Sequence, residues 1–252
     1  MVDLVNGPEM GPREVKIGSG RVKTGIPGLD EITNGGIPEG HTVLISGTAG
    51  TGKTILCSQY LYQGVTRYKE PGVYLSFEES TESIKRNALN FGMDFAALEA
   101  SKKFRFVTYD PYHIDDIGTH LESTIREIGA KRVAIDSISA LNFYMREGTN
   151  FRRVLLNISN ALKKMKCTTF LISEIVAGTQ GLSRNGLEEF IADAALVLYY
   201  NRIDSSFSRA IQVWKMRGTS HSESLHPYKI TKEGINIYSS EEAFVDMKHR
   251  LG

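Results

Sequence analysis

Between two stretches of opposite character the chain reads Gly47-Thr48-Ala49-Gly50-Thr51-Gly52-Lys53-Thr54. Thr42–Ser46 before it is a short apolar run of strand type, and Thr54–Tyr68 after it carries apolar residues at helical spacing. Glycines at 47, 50 and 52 let the backbone fold tightly enough to aim successive N–H groups at one point. The helix that begins there adds unpaired donors and partial positive charge. With Lys53 to bridge β- and γ-phosphates and the Thr54 hydroxyl to ligate Mg²⁺, the segment is a cradle for a nucleoside polyphosphate, ATP or ADP. Strand, loop and helix in this order commit the chain to an α/β layer fold.

The rest of the chain repeats that alternation. Strand-type runs at Gly72–Phe77, Phe104–Thr108, Arg132–Ile135 and Thr168–Ser173 alternate with helical patterns at Ser80–Asn90, Ile114–Ile128 and Phe151–Lys164. This implies a mostly parallel central sheet with helices on both faces. After Thr179 the rhythm changes: Ala195–Tyr200, Ala210–Trp214, Tyr228–Thr231 and Ile235–Tyr238 follow one another over short gaps, with Glu233-Gly234 as the last turn. These read as an antiparallel C-terminal β extension. Residues 1–20, with Pro8, Pro12 and no periodicity, read as a flexible leader. Without an internal repeat or a long linker, residues 21–252 are expected to form a single domain.

A phosphate cradle needs carboxylates to work with. Lys131-Arg132-Val133-Ala134-Ile135-Asp136-Ser137 is an apolar strand ending in Asp136, the expected second metal-holding group. Read in isolation, an Asp at a strand end is common. Val73-Tyr74-Leu75-Ser76-Phe77 ends in Glu78-Glu79, at the edge where parallel strands face a ligand. Adjacent side chains at a strand end diverge, so one of the pair is expected to orient or deprotonate the attacking water, with Glu78 the first choice. Glu79 has the plainer reading of sitting near the N-terminus of the next helix.

Global charge offers no long-range pull on polyanions, because the formal net charge is only +1. Cys57 and Cys167 lie far apart in apolar segments and read as buried thiols. No apolar run is long enough to span a bilayer and the first residues lack a signal-peptide core, so the expected compartment is the cytoplasm, with no membrane partner. His41, His113, His120, His226 and His249 show no metal-ligand spacing. Trp214 reads as packing.

Further motifs give these elements a family. The chain carries Thr24-Gly25-Ile26-Pro27-Gly28-Leu29-Asp30 and Gly35-Gly36-Ile37-Pro38 upstream of the loop, then Ser76-Phe77-Glu78-Glu79, Phe91-Gly92 and Ile135-Asp136-Ser137. Last comes Lys215-Met216-Arg217-Gly218-Thr219-Ser220-His221, the most specific of them. Together they resemble the KaiC-like branch of the RecA superfamily, from about Arg21 to Tyr238. The resemblance implies a RecA-like three-layer fold and a P-loop ATPase that forms a homohexameric ring with ATP between neighbouring subunits. It further implies that Lys215 and Arg217 act in trans on the next subunit's γ-phosphate, that Met216, Thr219 and His221 line the shared pocket, and that Asn90 contacts the base. KaiC has two tandem core domains and this chain has one, so no stacked double ring is implied. Leu187-Glu188-Glu189-Phe190-Ile191-Ala192-Asp193 lacks hydroxyls where the autokinase half carries its acceptors, which aligns it with the non-phosphorylating half.

Three functions compete. The first is a regulatory or signalling ATPase with an unknown protein partner. The second is a recombinase-type ATPase gripping DNA or RNA through loops at Asn142–Asn150 and Val176–Asn185, which hold Arg146, Arg184, Phe143 and Tyr144 but also Glu147. The sequence does not favour it, since no added nucleic-acid-binding module is present. The third is a scaffold in which nucleotide only joins subunits. The tail, with Phe244, Met247 and Leu251 at helical spacing, reads as a short terminal helix.

Overall fold

The computed structural model describes residues 20–108, 117–145, 151–176, 181–203 and 206–243, without the side chains of 142–144, 201–203, 206 and 207. The leader, residues 114–116 of the expected third helix, Arg146, Glu147, the side chains of Phe143 and Tyr144, His113, His249 and the terminal helix therefore lie outside the described residues.

A two-stranded ribbon opens the fold: β1 (Arg21–Val22) pairs antiparallel with β2 (Ile37–Pro38), with the short α1 (Leu29–Ile32) between them in the chain. Then comes the alternating core. β3 (Thr42–Gly47) leads into α2 (Lys53–Tyr68), and β4 (Gly72–Ser76) is followed by α3 (Thr81–Leu89) and α4 (Phe95–Ala100). β5 (Phe104–Thr108), α5 (Ile117–Ile128), β6 (Arg132–Asp136), α6 (Ile138–Tyr144), α7 (Phe151–Lys164) and β7 (Thr168–Glu174) continue it. The chain ends in α8 (Glu188–Ile191), β8 (Ala194–Ile203), β9 (Ser206–Met216), β10 (Leu225–Thr231) and β11 (Gly234–Ile237).

The strands from β3 onward form one sheet in the order β11-β10-β9-β8-β3-β7-β6-β4-β5. β5, β4, β6, β7, β3 and β8 run parallel, and β9, β10 and β11 are added antiparallel. This is the expected mostly parallel sheet with its antiparallel extension. The apolar runs are unbroken because both faces are covered. On one side Val43, Ile45, Tyr74 and Phe170 pack against Leu56, Tyr60 and Leu61 of α2 and Phe95 of α4. On the other, Leu44, Val73, Leu75 and Ile135 meet Leu121 and Ile125 of α5 and Leu155, Ile158 and Leu162 of α7. Each such buried aliphatic side chain contributes about 1.5–3 kcal/mol. Cys57 and Cys167 are both buried and unbridged.

Several elements depart from expectation. α1, α4, α6 and α8 are too short for a helical period to show, and local capping holds two of them. Asp94 accepts the Ala97 N–H at 3.1 Å, and Ser137 accepts that of Ala140 at 3.3 Å. β8 and β9 run well beyond the apolar stretches that marked them, pairing through Arg202↔Phe207 and Ile203↔Ser206. A ladder needs only backbone, so polar side chains hid the hairpin's outer half. Among the described residues no helix is long and apolar enough to cross a membrane.

Candidate functional site

The loop between β3 and α2 folds as its glycines require. Gly50 and Gly52 take φ of 80° and 88°, a region that residues with a Cβ avoid. Lys53 is turned back over the loop, donating to the carbonyls of Gly47 at 2.9 Å and Thr48 at 3.0 Å. Burial lowers its pKa, opposed chiefly by Glu174 and Asp136. Thr51 closes the turn with a 2.9 Å bond to the Thr48 carbonyl. Above the loop lies an open cleft of about 490 Å³ lined by Ala49, Gly50, Gly52, Lys53, Thr54, Ile55, Glu78, Glu79, Asp136, Ile172 and Glu174.

Parallel neighbours β3, β7, β6 and β4 end side by side: β7 ends in Glu174, β6 in Asp136, and Glu78 and Glu79 follow the end of β4. Asp136 accepts the Thr54 hydroxyl at 2.9 Å and the Tyr74 hydroxyl at 2.7 Å on the same oxygen. Burial raises the Asp136 pKa, partly offset by those two hydrogen bonds. The two glutamates do diverge. Glu78 accepts the Ser137 hydroxyl at 2.9 Å, beside Asp136. Glu79 accepts from Ser83 at 2.6 Å and Asn87 at 3.0 Å, both on α3. Its carboxylate is thereby tied to the helix, which matches its plainer reading.

Thr54 and Asp136 fit a divalent cation of the Mg²⁺ kind. A hydroxyl and a carboxylate that already touch leave most of an octahedral shell to phosphate oxygens and water, as that ion prefers.

Lys215 and Arg217 are elsewhere. β9 runs antiparallel to β8, so Met216 pairs with Ala194 and Ile211 with Leu198. Ala194 in turn lies beside Val43, whereas Leu198 lies beside Gly47. The two cations thus sit at the start of β3, about 15 Å along the strands from the loop at its end. There Lys215 donates to the Ala192 carbonyl at 2.7 Å and Arg217 to that of Phe190 at 3.0 Å. Burial, then Arg217, lowers the Lys215 pKa. Met216 points into the core, so any contact with a ligand falls to its backbone. Thr219 accepts from Arg21, Ser220 from Asn34 at 3.0 Å, and the Ser222 N–H donates to the Ile32 carbonyl at 2.8 Å. β1, α1 and the turn after α1 therefore buttress the loop that carries Thr219 and His221. Asn90 caps the end of α3, exposed and outside the cleft lining.

Five contributors escaped sequence reasoning. Glu174 lines the cleft and was visible by the rule that singled out Asp136, an acid ending an apolar strand. Tyr74 and Ser137 hold the two acids, yet a buried hydroxyl carries no sequence signal. Arg209 donates to the Gly50 carbonyl at 3.2 Å and stacks on Tyr200 at 4.2 Å, reaching the loop from the antiparallel extension. Tyr228 does likewise, donating to the Thr51 carbonyl at 2.5 Å. Trp214, expected in the packing, is 47% exposed.

Comparison with known proteins agrees with this geometry. The family model for KaiC ATPases matches residues 22–242. A UPF0273 protein of Methanocaldococcus jannaschii is 40% identical over 86% of this chain and 96% of its own length. The circadian clock oscillator protein KaiC of Parathermosynechococcus lividus is 35% identical over 86% of this chain, but over only 42% of its own length. Among solved structures, a KaiC-like protein of Pyrococcus horikoshii superimposes with a TM-score of 0.82 at 38% identity, covering 88% of this chain and all of that one. The fold, the loop with its ring of acids, and these likenesses converge: the chain belongs to the KaiC-like ATPases of the RecA superfamily.

Proposed function

We propose that this chain binds and hydrolyses ATP as a regulatory ATPase, in a ring whose nucleotides sit between neighbouring copies. One observation carries the reading: the phosphate cradle and the Lys215–Arg217 pair lie at opposite ends of the same sheet. A single copy cannot bring both to one phosphate, whereas head-to-tail neighbours can.

In this reading the loop N–H groups and Lys53 bind the phosphates, and Thr54 with Asp136 would hold Mg²⁺, which when bound neutralises charge on the β- and γ-phosphate oxygens. Glu78, kept in place by Ser137, orients a water and takes its proton as oxygen attacks the γ-phosphorus. Lys215 and Arg217 of the adjacent copy stabilise the charge on the γ-phosphoryl oxygens as the bond from phosphorus to the β-phosphate oxygen breaks and ADP leaves. Lys215 is parked on a backbone carbonyl, and Arg217 on a carbonyl with Asp193 at 3.8 Å, tethers that an anionic phosphate outcompetes.

The test is native mass and ATP turnover for wild type, Glu78→Gln and Arg217→Ala, with and without ATP and Mg²⁺. ATP-driven assembly, with both variants binding ATP but failing to turn it over, is the expected result. Normal hydrolysis by a monomeric Arg217→Ala protein would end the shared-site reading. Assembly without turnover in the wild type would favour the scaffold.

A further inference from the structure

The strand that carries the two cations is irregular at one point. Along β9, Val213 pairs with Leu196 and Lys215 with Ala195, so Trp214 has no partner on β8. An extra residue of this kind breaks the alternation of side chains. Val213 and Met216, three apart, both enter the core on the α2 face of the sheet. Ala195, opposite Lys215, belongs to the core on the other face. Trp214 and Lys215 are therefore presented together on the α7–α8 side. Strict alternation would have sent Lys215 into the core beside Val213.

Phe190, on α8 at the same end of that face, is 64% exposed, and its carbonyl holds Arg217. Two aromatic side chains thus stand open to solvent beside the two cations. Exposed aromatics next to arginine are the composition of an interface centre rather than of a solvated surface. Charge names the occupant. The cleft carries Glu78, Glu79, Asp136 and Glu174 against Lys53 and Arg184, the latter 3.6 Å from Glu174, a net acidic mouth. The patch with Lys163, Lys215 and Arg217 against Asp193 and Glu189 is net basic.

We infer that Phe190 and Trp214 are the apolar anchors with which one copy of this chain docks against the nucleotide cleft of the next, closing water out around Lys215 and Arg217. The inference rests on the shared-site reading and adds to it the residues that make the contact. The bulge at Trp214 is the device that serves both ends, aiming one cation and one anchor at the same neighbour.

Trp214 is the chain's single tryptophan, so its fluorescence reports this surface alone. Acrylamide quenching and native mass are measured together, with and without a non-hydrolysable ATP analogue and Mg²⁺. The expected result is assembly accompanied by a several-fold fall in quenching. Phe190→Ser should raise the protein concentration needed for half-assembly about tenfold or more. It should leave the thermal stability and ATP affinity of the unassembled protein unchanged. Assembly with Trp214 as quenchable as before, or Phe190→Ser assembling at wild-type concentration, overturns the inference while the shared site stands. No assembly at any concentration removes both. Protection of Trp214 by a single-stranded oligonucleotide, on unassembled protein, would assign the aromatics to nucleic acid and also overturn it.

Discussion

Ser137 donates its hydroxyl to Glu78 at 2.9 Å, while the adjacent Glu79 is bound by two side chains of α3. In the proposed mechanism these neighbours in sequence have separate jobs. Glu78→Gln is expected to lower kcat by about 10²–10⁴-fold with little change in ATP affinity, since it removes a proton acceptor and no phosphate contact. Glu79→Gln should instead cost about 1 kcal/mol of stability through its bonds to Ser83 and Asn87, with turnover nearly kept. Equal kinetic damage from both would contradict the division; steady-state turnover and urea unfolding of the two variants decide it.

Lys215 is partly desolvated and faces Arg217, and both effects lower its pKa against the pull of Asp193 and Glu189, with Lys163 lowering it further. As a stabilising cation it works only when protonated. The kcat/KM for ATP, which reports the protein before nucleotide binds, should therefore fall with rising pH, with a midpoint below that of an ordinary lysine. Lys215→Arg keeps the charge at any accessible pH and should push that alkaline limb upward. An identical pH profile in the two proteins would remove Lys215 from the chemistry.

Arg132 is fully buried, donating to Glu70 at 2.6 Å and to the carbonyls of Tyr60 at 3.1 Å and Lys23 at 2.7 Å. It fits only because α2 has no side chain at Gly64, where a Cβ would stand 2.3 Å from Arg132 Cδ. Replacing a mid-helix glycine by alanine would ordinarily gain up to about 1 kcal/mol. Here overpacking, typically about 1–3 kcal/mol, works against that gain, and a clash this close puts it at the upper end or beyond. Gly64→Ala is expected to lower the denaturation midpoint; a raised one would show that Arg132 can move aside.

His226 is 4% exposed, with one ring nitrogen on the Glu241 carbonyl at 2.9 Å and the other on Ser222 at 2.7 Å. A carbonyl can only accept, so the first nitrogen donates to it. This pins the loop that holds Thr219 and His221. Phenylalanine at 226 leaves the Glu241 carbonyl and the Ser222 hydroxyl without it, at about 1–3 kcal/mol. Hydrogen exchange across 218–224 should quicken in His226→Phe, while ATP binding to the unassembled protein stays as it was.

What was legible in the chain divides along physical lines. The phosphate loop announces itself because tight backbone approach requires glycine, and a nucleotide requires lysine and a hydroxyl at fixed offsets. Asp136 and Glu78 could be found because a parallel sheet aligns its strand ends, and an acid after an apolar run stands out. Glu174 obeys the same rule and was passed over because its strand was cut one residue short. The bulge at Trp214 had no local mark, since it is a property of pairing with β8. Strict alternation along β9 would therefore have misplaced Lys215, and the apolar run around Trp214 hid its exposure. Arg209 and Tyr228 reach the loop from more than 150 positions away in the chain, a distance no motif spans.

The antiparallel extension meets its own loop through Arg209 and Tyr228 and delivers Lys215 and Arg217 at its far end. A part with an input on one side and an output on the other has polarity. In the proposed ring, output joins input around the whole circuit, and clockwise is not equivalent to anticlockwise. A copy with Lys53→Ala empties its own pocket yet still serves the one it faces; a copy with Arg217→Ala does the reverse. Each variant alone is silent, but mixed together they form some junctions in which an intact pocket meets an intact pair of cations. Turnover should return in the mixture, and it should return at those junctions only.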